Sequence, residues 1–167
     1  MRTVLNWLGL LVVLLVAAGI IMHELHQRAR TSDHRIDARL ELRRIERQLT
    51  LQSELLRRRQ AERAYPLTID PTWFPDGAPL NPMLDLDRPW MEIASVDERF
   101  LLHPIDRVAT TSETAMYWYN PYLGIVRSRV PQGFDDHDAI ACYNDVNDVD
   151  VSSLTGEIRH LALTEAR

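Results

Sequence analysis

The sequence predicts an α+β protein: an N-terminal transmembrane helix extended by a long amphipathic helix, then a small antiparallel β-rich domain. Three observations carry that expectation. The apolar stretch 4–22 holds no charged residue. Residues 23–64 contain neither Pro nor Gly. From Tyr65 onward the chain turns to prolines, aromatics and short alternating runs. The net charge of −5 over 167 residues hides the same division, because residues 1–22 carry +1, 23–64 carry +4 and 65–167 carry −10. All 19 basic residues are arginine. The length allows one modest globular domain, and the single cysteine excludes an internal disulfide framework or a multi-cysteine metal site. The expected parts are an anchor (1–22), an Arg-rich helical stalk (23–64), a Pro/Trp-rich ordered collar (65–90) and a small acidic β-rich domain (91–167).

The anchor follows from length and polarity. As a helix, Val4 to Met22 spans about 28 Å at about 1.5 Å per residue, close to the hydrocarbon thickness of a bilayer. A cleaved signal peptide would end near Val16-Ala17-Ala18, but the apolar run continues through Ile20, Ile21 and Met22. An uncleaved single-pass anchor in contact with membrane lipid is therefore expected. The positive-inside rule, applied to Arg28, Arg30, Arg35 and Arg39, points the C-terminal part toward the cytoplasm.

The stalk is rich in Leu, Arg, Glu, Gln and Ala, all strong helix formers. Leu42, Ile45, Leu49 and Leu56 recur with 3-4-7 spacing, and Ile36, Leu40, Leu51 and Leu55 are expected to broaden that stripe. Two occupants suit it: the chain's own C-terminal domain, or a partner helix in a homo- or hetero-oligomer. Nucleic acid is not expected, since Arg57-Arg58-Arg59 is short, lacks interleaved aromatics and is offset by glutamates.

Six prolines between Pro66 and Pro89 exclude a helix from the collar, while Trp73, Phe74, Leu80, Met83, Leu84 and Trp90 argue that it packs on the domain. Strands are expected at Trp90–Ala94, Arg99–His103, Ala115–Tyr119, Gly124–Val130 and Ala139–Asn144. The hairpin turn falls at Asn120–Gly124, with Tyr117 and Tyr119 beside Arg127 and Arg129 on a solvent face.

Chemistry-bearing motifs are sparse. No phosphate loop, zinc-protease motif, nucleophile elbow or dinucleotide fingerprint occurs, so no catalytic residue is assigned and no enzyme activity is expected. His103 has no evident partner in sequence, and Cys142 reads as a buried thiol. Asp145, Asp148 and Asp150 offer hard oxygen ligands, which makes calcium the possible cofactor of an otherwise cofactor-free chain. Their spacing does not match an EF-hand.

This layout resembles that of type IV pilins and type II secretion pseudopilins. The hairpin from Tyr117 to Pro131 and the run Cys142–Asn147 are similar to stretches of pilin-like β-domains. The resemblance implies a bacterial inner-membrane protein with its C-terminal domain outside the cytoplasm, assembling through its N-terminal helix as an accessory subunit of a secretion or pilus apparatus. The chain departs from that pattern at Gly9 and Gly19, which are not followed by the Phe and Glu of a prepilin cleavage site. The layout is also similar to short bitopic division proteins, which implies a coiled-coil scaffold of an envelope complex. An anchored ligand-binding or enzymatic domain is the third reading.

Overall fold

The computed structural model describes residues 33–59, 62–133 and 135–156. The chain forms two units, Met1–His34 and Arg35–Arg167, and the second holds the architecture described below. The expected anchor lies outside the described residues. Among the described residues, no helix is long and apolar enough to cross a membrane.

Helix α1 (residues 33–58) contains no Gly or Pro, and its side chains divide into two opposed stripes. Ala38, Leu42, Ile45 and Leu49, at 4-3-4 spacing, are buried in the domain's own core. Ile36, Leu40, Leu51 and Leu55 do not broaden that stripe. At about 100° per residue they fall on the opposite side of the helix, with exposures of 57, 59, 53 and 38%.

The sheet has three strands, β1 (Met91–Ile93), β2 (Tyr117–Asn120) and β3 (Ile125–Ser128), in the order β1-β2-β3. It is mixed rather than antiparallel. β1 runs parallel to β2, with Met91 opposite Tyr117, and β2 runs antiparallel to β3, with Tyr117 opposite Ser128 and Asn120 opposite Ile125. The parallel pair requires a long connection, and residues 94–116 supply it as a chain of turns. The expected strand Arg99–His103 lies in that connection and is not a strand. The Asn120 side-chain amide donates to the carbonyls of Glu98, Arg99 and Leu101, which bends the segment around one buried asparagine.

The expected strand Ala139–Asn144 is also corrected, to part of α2 (Asp136–Asn147). Asp135 caps its N-terminus by accepting from the Asp138 N–H at 2.8 Å, and Asp136 and Asp138 add favourable charge in the first turn. Its buried residues Ala139, Cys142, Tyr143 and Val146 have 3-4-7 spacing. They join Ala38, Val108 and Val130 in one apolar cluster. A second cluster brings Leu42, Ile45 and Leu49 of α1 against Tyr117, Tyr119 and Val126, with Phe74 and Leu84 of the collar. Tyr117 and Tyr119 therefore face the core rather than solvent. Arg129 is likewise buried, paired with Glu92 at 2.6 Å and donating to the carbonyls of Asp106 and Ala115.

The β2–β3 loop forms around Asn120, whose backbone carbonyl accepts from the Gly124 N–H at 2.8 Å and whose side chain accepts from the Tyr122 N–H. Gly124 has φ +66°, and a Cβ there would lie 2.2 Å from the Tyr65 ring. Gly77 has φ +91° but open space around it. Gly124→Ala should therefore destabilise the domain by about 2 kcal/mol or more, and Gly77→Ala by only about 1 kcal/mol. Urea unfolding of both variants checks the difference, and equal losses would refute the Tyr65 contact.

Candidate functional site

A cleft of about 810 Å³ lies between the C-terminal half of α1, the segment around Tyr65 and the start of β3. Its α1 wall includes Leu49, Thr50 and Ser53; its sheet wall includes Ile125, Val126 and Arg127. The charged groups along it are mostly matched. Arg43 pairs with Glu46 at 2.8 Å and Arg57 with Glu54 at 2.6 Å. Arg127 is different: it is half-buried, and among the described residues no carboxylate lies within ion-pair distance of it.

Neutral acceptors hold the Arg127 guanidinium instead. Its Nε donates to His103 Nδ1 at 3.3 Å, and its Nη1 donates to the Val126 carbonyl at 3.1 Å. The Tyr143 hydroxyl also meets His103 Nδ1, at 3.2 Å, with the two rings edge-on. Since Nδ1 accepts from Arg127, the imidazole proton resides on Nε2 and the tyrosine donates. The Arg107 guanidinium lies 5.9 Å from the Tyr143 ring centroid. Burial, then Arg127 and Arg107, push the His103 pKa down to about 4. Burial raises the Tyr143 hydroxyl to about 12 against the pull of the same arginines. The result is a positively charged cluster around an uncharged imidazole. These groups suit the recognition of an anion better than proton transfer near neutral pH.

His103 stood out in sequence only as an unpartnered histidine. Arg127 and Tyr143 carried no sequence signal, because three separate segments bring them together. Cys142 lies on the buried side of α2 rather than in a strand; burial raises its thiol, and its Sγ contacts Met83 Sδ at 3.9 Å.

The acidic residues expected to hold calcium are placed otherwise. Asp145 pairs with Arg39 at 2.6 Å and Asp148 with Arg43 at 3.0 Å, so both carboxylates face α1. Asp150 does not complete a ligand group with them among the described residues. A different trio, Asp135, His137 and Asp138, brings its ligand atoms within 4.8 Å of one another on an exposed surface. One Asp135 oxygen there serves as the α2 cap. Of the four expected interface residues, Leu42, Ile45 and Leu49 lie in the domain's own core, and Leu56 is half-buried.

The depressed His103 pKa gives a pH dependence of defined sign. The unfolded chain takes up a proton near 6.5, whereas the folded one resists until about 4. The unfolded state thus binds more protons across that window, and stability falls as pH drops through it. Urea unfolding between pH 7 and 5 should show a decline that His103→Gln reduces; identical slopes in both proteins would contradict the assignment. Comparison with known proteins finds no family model that matches the chain, and no curated protein or solved structure similar to it.

Proposed function

We propose that this chain is a non-enzymatic, single-pass membrane protein, a pilin-like accessory subunit that assembles with protein partners through its helix. The observation that carries the reading is the outward stripe of α1. Ile36, Leu40, Leu51 and Leu55 are large apolar side chains exposed on the outer side of one helix, in two pairs, and exposed apolar surface of that kind marks interaction sites. The inward stripe, with Leu42, Ile45 and Leu49, is occupied by the chain's own domain. Assembly through those residues would require unpacking the core, so the outward stripe is the assembly face in this proposal. The apolar run 4–22 supports an anchor ahead of the helix, and the pilin-like layout supports a C-terminal domain outside the cytoplasm of a bacterial inner membrane.

The two stripes give a direct test in the detergent-solubilised full chain. Leu40→Asp with Leu51→Asp should reduce the particle mass to that of a monomer while shifting unfolding by less than about 1 kcal/mol. Ile45→Asp should instead unfold the domain, because it buries an unpaired charge. An unchanged mass in the outward double variant would remove the assembly reading. For orientation, Ser112→Cys in a Cys142→Ala background should react with an impermeant maleimide in spheroplasts. Reaction only after lysis would place the domain in the cytoplasm.

A further inference from the structure

We propose that the outward side of α1 is self-complementary and pairs with the same side of a second copy of this chain, the two helices running antiparallel. The inference rests on the reading of that side as the assembly face, and it adds the partner and the direction. The first support is where the apolar residues stand. Ile36 and Leu40, then Leu51 and Leu55, are placed symmetrically about the midpoint between Ile45 and Glu46. A two-fold interface uses one patch twice, so that residue i meets residue j and j meets i. About an axis through that midpoint, Ile36 of one copy lies level with Leu55 of the other, and Leu40 with Leu51. Arg44 and Arg47 complete a 4-4-3-4-4 spacing with these four, an 11-residue repeat that winds paired helices in a right-handed sense.

The second support is charge, which separates an antiparallel pair from a parallel one. Asp33 and Arg58 flank the apolar residues, three positions before Ile36 and three after Leu55. Both are exposed, and neither has an ion pair among the described residues. A parallel pair in register sets Asp33 against Asp33, Arg47 against Arg47 and Arg58 against Arg58, all of like sign. The antiparallel pair sets Asp33 level with Arg58 at both ends. At its middle, Arg47 of one copy comes level with Arg44 of the other. Arg44 brings two carboxylates there, Glu41 at 3.0 Å and the exposed Asp76 at 4.0 Å. Arg47 has no carboxylate of its own among the described residues, and its Nε donates to the Arg43 carbonyl at 3.3 Å. Two guanidiniums and two carboxylates therefore balance in each half of the centre. Ten residues, 23–32, separate the apolar run from α1 and can extend up to about 33 Å, enough for the apolar runs of both copies to enter one bilayer.

The test uses the full chain in detergent, where the particle should be a dimer. Arg58→Asp should weaken that dimer about fivefold, and adding Asp33→Arg should restore it, because the exchange rebuilds both terminal ion pairs. Direction is read by disulfide trapping in a Cys142→Ala background. An Ile36→Cys protein mixed with a size-tagged Leu55→Cys protein should cross-link between the two species under mild oxidation. Neither protein alone should link to itself, since its own two copies of the cysteine lie about 28 Å apart along the pair. Self-linking of each protein would show a parallel pair and overturn the antiparallel inference while leaving the assembly reading intact. Failure of the double exchange to rescue Arg58→Asp would do the same. A monomeric particle, or a dimer indifferent to Leu40→Asp with Leu51→Asp, would overturn both.

Discussion

Four consecutive residues, Tyr117-Trp118-Tyr119-Asn120, are fully buried, and most of the architecture serves to cover them. A strand buried on both faces needs a neighbour on each edge and a layer on each side. β1 and β3 supply the edges, and Leu42, Ile45 and Leu49 of α1 supply one layer. Burying each of these large side chains contributes about 1.5–3 kcal/mol. Polar atoms offset part of that gain. The Tyr119 hydroxyl donates to the Pro66 carbonyl at 2.7 Å, but the Tyr117 hydroxyl and Trp118 Nε1 are buried without a hydrogen-bond partner among the described residues. Each such orphan costs about 1–3 kcal/mol, so the helix layer over β2 is essential to the fold rather than an addition to it.

Short strands and long irregular connections leave many backbone groups to satisfy, and four asparagine side chains meet much of that demand. Asn147 pairs with both backbone groups of Ser128, and Asn144 with both of Val151, at 2.8–3.0 Å. Each mimics one rung of a sheet ladder without a further strand. Asn120 gathers three carbonyls of the 98–101 turns, and Asn81 ties the collar to Ser128 and Arg129. The same device closes the outer edge of β3 at Ser128.

Parts of this fold were legible in the sequence and parts were not, for reasons that particular residues show. The absence of Gly and Pro marked α1, and alternation with an Asn–Gly-bounded turn marked the β2–β3 hairpin. The α1 stripe from Leu42 to Leu49 was also legible. Ile36, Leu40, Leu51 and Leu55 were misplaced because adding apolar residues by proximity ignores the angle at which each leaves the helix. In α2, the short continuous apolar run from Ala139 to Tyr143 reads equally as a buried strand, and the helical 3-4-7 pattern becomes clear only with Asp135 as its cap. The parallel β1–β2 pairing and the cluster of His103, Arg127 and Tyr143 had no local signal, since both arise from connections folded around Asn120. Asp145 and Asp148 looked like cation ligands because their partners, Arg39 and Arg43, lie more than a hundred positions away.

The functional reading depends on α1 being one layer of the domain and not a stalk attached to it, since only then is its outward stripe the surface left for partners. Native-state hydrogen exchange of the full chain in detergent tests this most directly. The amides of residues 42–49 in α1 and of 117–120 in β2 should exchange with one shared opening free energy and one denaturant dependence, as a single cooperative unit. Exchange of the α1 amides at a much lower opening free energy, with β2 still protected, would contradict the account.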